Sequence, residues 1–261
     1  MELGHGTHAL TDADWARLDA LRAGYLEGEA LPWHDERDLA LYHRSFGERI
    51  AWKWRAVLGE APVRALPPIG GTVVDFGCGS GVASLALLGS GLVTDDAEWV
   101  PLDHSPLAWS FAQARLAERG ARVRASAEVP EGEIGTLVAS HVLTELEPGG
   151  YDALVAMARR ARRVVVVEPG SKVAARELVR LREDLVDVLA PVAPCPHAGA
   201  CGLASSHALK LVPPLRAAGA RGLHVVVLAR LLRPARRRPA RLADELPRAR
   251  PRRRTLDRSP R

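Results

Sequence analysis

The chain has 261 residues, 47% of them hydrophobic and 26% charged, with three cysteines and a net charge of +5. That length suits one large α/β domain with an appendage; the composition excludes a wholly disordered chain, and three cysteines exclude a disulfide framework. No apolar run reaches the roughly 18 residues of a membrane span. Met1-Glu2-Leu3-Gly4-His5 lacks the basic start and apolar stretch of a secretory signal. The expectation is a cytoplasmic protein with no membrane partner.

In chain order, Thr11-Asp12-Ala13-Asp14 signals a helix start, and apolar residues recur at helical spacing from Trp15 to Tyr25. After a break at Leu31-Pro32-Trp33, a second helical stretch runs from about Glu36 to Leu58, with Leu39, Tyr42, Phe46, Ile50, Trp54 and Val57 on one side. Pro62 and Pro67-Pro68 mark a linker, so residues 1–68 are expected to form a helical region. Strands then alternate with helices. Strands are expected over Thr72–Phe76, Glu98–Leu102, Arg122–Ala125, Thr136–Ser140 and Val164–Glu168. Helices are expected over Val82–Leu88, Pro106–Arg119, Tyr151–Arg160 and Ala174–Leu189. Runs such as Val164-Val165-Val166-Val167 are apolar on both faces, as buried parallel strands are. The alternation implies a doubly wound parallel sheet over residues 69–202.

The most informative segment is Val73-Val74-Asp75-Phe76-Gly77-Cys78-Gly79-Ser80-Gly81. A buried strand ends in an acid, glycines alternate, and a helix begins. Glycine suits a tight turn or a close approach to a ligand, and the helix start offers free N–H groups. The dinucleotide spacing Gly-x-Gly-x-x-Gly/Ala fails, because Val82 stands where its third small residue belongs. That spacing argues against a nicotinamide-dependent oxidoreductase. The observed pattern resembles the first motif of class I S-adenosylmethionine-dependent methyltransferases, an α/β class with a Rossmann-like sheet. By that resemblance Asp75 lies near the methionine end of the cofactor, and Gly77, Gly79 and Gly81 let the backbone pass close to it. Asp103, ending the second strand, is placed to accept both ribose hydroxyl hydrogens; alternatively it caps the following helix. Ala127-Glu128 is a weaker candidate for adenine contacts.

The fourth strand leads into Ser140-His141-Val142-Leu143-Thr144-Glu145-Leu146. In methyltransferases this edge faces the transferred methyl, so Ser140 is counted with the cofactor residues. The Asn/Asp-Pro-Pro-aromatic turn of enzymes that methylate base amino groups is missing. Cys78, inside the glycine loop, is a poor nucleophile candidate. His141 is a candidate base, or a packing residue. No catalytic residue is assigned.

Four segments together carry a closer resemblance: Asp75 to Gly81, Ala139 to Leu146, Val167-Glu168-Pro169-Gly170-Ser171, and Ala193-Pro194-Cys195-Pro196-His197 with Cys201 following. They resemble the Rsm-twenty-two family, methyltransferase-like proteins of the ribosomal small subunit in bacteria and mitochondria. The resemblance covers about residues 35–202. It implies S-adenosylmethionine as cofactor and the small ribosomal subunit or its rRNA as partner, and it associates mitochondrial members with an iron–sulfur cluster. Cys195 and Cys201, with His197 between them, are the candidate metal ligands. A metal site wants four ligands, or three and an open position, so this chain is short of the family's set. Two roles follow from the resemblance: methylation of small-subunit RNA, or assembly of the subunit by a non-catalytic protein that retains the cofactor fold.

Residues 233–261 hold twelve arginines and three acids, a net +9 that leaves the preceding residues at −4. All twelve aromatic residues lie at or before Tyr151. Such a tail can contact phosphates, or be an unstructured extension, or be sequence read in a shifted frame. The family continues after its second cysteine with Asp/Asn-Trp-Cys-His-His-Phe, where this chain has Lys210-Leu211-Val212-Pro213-Pro214-Leu215-Arg216. Codons for those residues, read one base later, can give Asn-Trp-Cys-His-His-Phe. The expectation is a shifted frame after about residue 203, a partly disordered tail over 203–261, and loss of the sheet's C-terminal strands.

Overall fold

Thr11 and Asp14 begin the first helix by exchanging bonds. The Asp14 N–H donates to Thr11 Oγ1 (3.2 Å) and the Thr11 N–H to Asp14 Oδ2 (3.0 Å), which satisfies N–H groups that a helix start leaves free. Helix α1 (Asp12–Leu26) follows. The structure, a computed structural model, describes residues 9–26, 33–125, 128–129, 131–201 and 223–229. The expectations for Ala127, for residues 210–216 and for the arginine-rich residues 233–261 lie outside the described residues.

Asp35 caps α2 (Glu36–Tyr42), its side chain accepting the Asp38 N–H. Asp38 is fully buried, bonded to Arg17 Nε of α1 and to the His34 N–H at 2.9 Å. Burying a carboxylate is tolerable because it is paired and hydrogen-bonded. A π-helical turn, His43–Gly47, carries the chain without a break into α3 (Glu48–Gly59). The short helix α4 (Ala61–Arg64) occupies part of the expected linker.

The sheet has seven strands in the order β3-β2-β1-β4-β5-β7-β6. Strands β1 (Thr72–Phe76), β2 (Glu98–Leu102), β3 (Arg122–Val123), β4 (Ile134–Ser140) and β5 (Ala161–Pro169) pair in parallel. Between them run α5 (Val82–Leu88), α6 (Pro106–Ala117) and α7 (Pro148–Arg160), and α8 (Lys172–Leu185) follows β5. Successive strand residues point to opposite faces. Val73, Val138, Val165 and Val167 bury on one face with Trp54, Leu87 and Trp99. Val74, Leu137, Val164 and Val166 bury on the other with Leu154 and Leu181. Helices α3 and α4 thus share a core with the sheet.

The expected loss of the C-terminal strands is corrected. Strand β7 (Leu223–Ala229) pairs antiparallel with β5 from Arg163↔Ala229 to Pro169↔Leu223, and β6 (Ala190–Ala193) pairs antiparallel with β7. The physical reason is local: a valine-rich run suits the pleat, and Val227 and Leu228 bury on the two opposite faces. The edges are short, two residues in β3 and four in β6, which limits unpaired backbone.

The strand order reverses between β1 and β4. Open α/β sheets bind ligands in the crevice outside the strand C-terminal ends at such a point. The glycine turn and the Ser140-His141 segment both leave the sheet there.

Candidate cofactor site

The turn after β1 is bound to the end of β2, for the Gly77 and Cys78 N–H groups both donate to the Leu102 carbonyl, at 2.8 and 3.0 Å. Its three glycines all have positive φ, but they serve different ends. A Cβ on Gly77 would lie 2.7 Å from Val142 Cγ2, and one on Gly81 would lie 3.2 Å from Ala112 Cβ. These two allow the turn to close against β4 and α6. A Cβ on Gly79 would meet nothing within 4 Å. Gly79 faces a cavity of about 100 Å³ shared with Asp103, Ser140, His141, Trp33 and Tyr42. Of the three, only Gly79 keeps open space for a ligand.

Asp103 accepts the Gly79 N–H on Oδ2 (2.9 Å) and the Ser105 N–H on Oδ1 (2.9 Å). The cap of α6 is Ser105, which accepts the Ala108 N–H. Asp103 is therefore not the helix cap, and each of its oxygens keeps a lone pair for another donor. Asp75 lies deeper, 1% exposed and outside the cavity lining. Its Oδ2 accepts the Ser84 hydroxyl at 2.6 Å, and its Oδ1 is buried without a partner. Burial pushes the Asp75 carboxyl up to about 6, against the Ser84 bond. Asp75 underpins the turn from beneath rather than facing the cavity.

Across the crevice, Ser140 Oγ accepts the Trp54 indole N–H at 2.9 Å and lies 3.2 Å from His141 Nδ1. The Lys53 ammonium donates to His141 Nε2 at 3.0 Å. His141 has φ 57°, an uncommon value for a residue other than glycine. Burial first, then the Lys53 charge, pushes its imidazole down to about 3. Both ring nitrogens are engaged, so the ring offers no free lone pair to an incoming substrate. Glu168, fully buried at the end of β5, accepts the Val142 and Leu143 N–H groups at 2.9 and 3.1 Å on one oxygen. Its second oxygen has no partner, and burial pushes the carboxyl up to about 7. Burial also raises the Cys78 thiol well above its ordinary range, which removes it as a nucleophile near neutral pH.

The first three segments singled out in the sequence thus meet: Gly77 against Val142, and Glu168 holding the backbone of Val142 and Leu143. The fourth stands apart. The loop after β6 leaves the same end of the sheet, four strand steps from β1, roughly 19 Å at ordinary spacing. Arg182 Nη2 donates to the Gly199 carbonyl at 2.8 Å and holds this loop on α8. Cys195 is exposed and Cys201 half-buried. Among the described residues no three of His, Cys, Asp or Glu converge on a metal-sized space. Among the described residues, then, Cys195 and Cys201 gain no further ligand for an iron–sulfur or metal centre.

The sequence reading passed over Lys53, Trp54, Trp33 and Tyr42 as site residues. Trp33 packs edge-on against Tyr42, with centroids 5.2 Å apart. The available signal was the crowding of seven of the twelve aromatics into the first 54 residues. The π turn adds another link, letting His43 Nδ1 donate to the Ser80 carbonyl at 3.2 Å.

Five parallel strands, an antiparallel β7, a glycine turn at the switch point and an acid at the end of β2 define a class I methyltransferase-like fold. The family model for the mitochondrial small ribosomal subunit protein Rsm22 matches residues 72–210, over half the chain. The chain belongs to that family. No curated protein matches it. Among solved structures it is similar to an rRNA methylase from Escherichia coli: 12% identity over 83% of this chain and 77% of that one, TM-score 0.47. It is similar to the O-methyltransferase NcsB1 from neocarzinostatin biosynthesis: 17% identity over 84% and 69%, TM-score 0.46. It is also similar to the 16S rRNA methylase RmtB: 21% identity over 65% of each chain, TM-score 0.38.

Proposed function

We propose that the protein binds S-adenosylmethionine in this crevice and works, as a methyltransferase-like protein, on the RNA of the small ribosomal subunit. The observation that carries cofactor binding is Gly79. Its N–H is fixed on Asp103, its φ is +50°, and the space its missing side chain would fill is open to the cavity. The residues fit the cofactor: Asp103 to accept ribose hydroxyls, Gly79 to let the ligand lie against the backbone, and Ser140 on the facing wall. When bound, S-adenosylmethionine supplies an electrophilic methyl on a sulfonium. The chain's own part is to hold that group at the end of β4, beside a neutral His141 fixed by Lys53 and Ser140. Family membership supports the ribosomal direction.

A second reading is favoured by His141. Its nitrogens are both engaged, and Cys78 is buried, so neither offers an acceptor-activating group. On that reading the protein keeps the cofactor fold as an RNA-binding assembly factor. Calorimetry with S-adenosylmethionine tests the first step. We expect binding by the wild type and none by Gly79→Val, with the fold retained. Equal affinity in both proteins would end the assignment. Transfer of labelled methyl to purified small-subunit RNA then separates enzyme from assembly factor.

A further inference from the structure

A second hollow of the molecule is lined along α3 by Glu48, Ala51, Arg55 and Leu58. It measures about 520 Å³, and four arginines from three elements reach it: Arg55 of α3, Arg64 of α4, and Arg115 and Arg119 at and just past the end of α6. Among the described residues Glu48 is the one acid in its lining. Glu48 stands 4.0 Å from Arg55, and Arg115 lies over the Phe111 ring at 5.7 Å. Among the described residues the Arg64 and Arg119 side chains have no hydrogen-bond or ion-pair partner.

Basic groups near helix C-termini stabilise those helices, and that role accounts for one arginine per helix end. It does not account for the residue beside them. Trp52 is 63% exposed, the most exposed large apolar side chain described. It lies three positions from both Arg49 and Arg55, all three on the solvent side of α3. An exposed aromatic ring between two guanidinium groups, on the helix that also lines an arginine-bearing hollow, matches the chemistry of a single nucleic-acid strand. Guanidinium groups meet phosphates, and an aromatic face stacks a base.

We infer that Arg49, Trp52 and Arg55 of α3, with Arg64, Arg115 and Arg119 across the hollow, form a track for single-stranded RNA, with one base stacked on Trp52. The inference rests on the RNA-directed reading above and locates the strand on the protein. The track stacks bases without reading their identity, since every base has a face to offer. Its affinity falls with salt, by about 0.7 in log–log slope for each phosphate contact.

The test uses the full chain and an unstructured RNA of about 12 nucleotides, within the range one such site covers. Fluorescence anisotropy follows binding over a salt series. Trp52→Ala should weaken binding about tenfold with the salt slope unchanged, because a stacking contact is lost and no phosphate contact. Arg119→Gln should lower the slope by about 0.7. Both positions are exposed, so melting temperatures should stay at the wild-type value. The arginines of residues 233–261 add the same background to every variant. Wild-type affinity and slope in both variants would overturn the inference while leaving the RNA-directed reading in place. Failure of the wild type to bind this RNA at all would overturn both. Cofactor binding by calorimetry is unaffected by either result.

Discussion

The sheet carries two kinds of C-terminal end. At β1, β2, β4 and β5, polar groups from distant parts of the chain are matched: Gly79 N–H on Asp103, Trp54 on Ser140, Val142 and Leu143 N–H groups on Glu168. At β7 and β6 the strands join through backbone pairing and apolar burial, with Val227 and Leu228 inside and the thiol of Cys195 left in solvent. The difference teaches what each end demands of a sequence. A polar site needs particular residues at particular places. A strand beside β5 needs only a β-branched run long enough to pair, and many sequences supply one.

The comparison is broken most sharply at Val227, which is fully buried. Val227→Asp should cost about 3 kcal/mol or more, because it buries a carboxylate without a partner. Thermal unfolding reads this, and an unchanged melting temperature would show that β7 adds nothing to the folded core. Next in size, Asp103→Ala should weaken S-adenosylmethionine binding by about 1.5–3 kcal/mol, the worth of hydrogen bonds to a charged group. Lost stability with unchanged affinity would make Asp103 a strut for the Gly79 turn and nothing more.

Glu168 sharpens the contrast through pH. Burial raises its folded-state pKa from 4.5 to about 7, so the folded protein holds this proton more tightly than the unfolded chain. Its stability contribution is complete below the unfolded value and is lost as pH rises through about 7. Glu168→Gln keeps an oxygen for the Val142 and Leu143 N–H groups and removes the titration. Denaturant unfolding from about pH 5 to pH 8 should therefore be flatter for the variant, with the two proteins diverging by on the order of 2 kcal/mol at the upper end. Parallel curves would place the pH dependence elsewhere. Last comes Trp54→Phe, which deletes the bond to Ser140 and leaves part of the buried indole's space unfilled. It should cost at least about 1 kcal/mol by thermal unfolding, and a neutral result would remove the Trp54 bond from the site's supports.

The parallel strands were legible because residues buried on both faces write themselves as unbroken valine runs. The expected ranges for β1 and β2 and for α5 match the structure end to end. β6 was not legible, since Ala190-Pro191-Val192-Ala193 is short and holds a proline. The cofactor turn was legible from its glycines, but not their division of labour, which depends on Val142 and Ala112 arriving from elsewhere. Lys53 and Trp54 were hidden for a related reason. Their partners His141 and Ser140 lie 88 and 86 residues away, and no local spacing records such a pairing.

Helix α3 borders both places: neighbouring faces of one helix serve the crevice and the hollow. Lys53 and Trp54 hold the wall of the cofactor crevice, and Arg55 reaches the arginine-lined hollow behind it. One helix thus carries both the bonds to Ser140 and His141 and an arginine of the proposed RNA track. On the proposed assignments the two ligands share that helix, and any coupling between them is reciprocal. Whatever factor RNA applies to cofactor affinity, the cofactor must apply to RNA affinity.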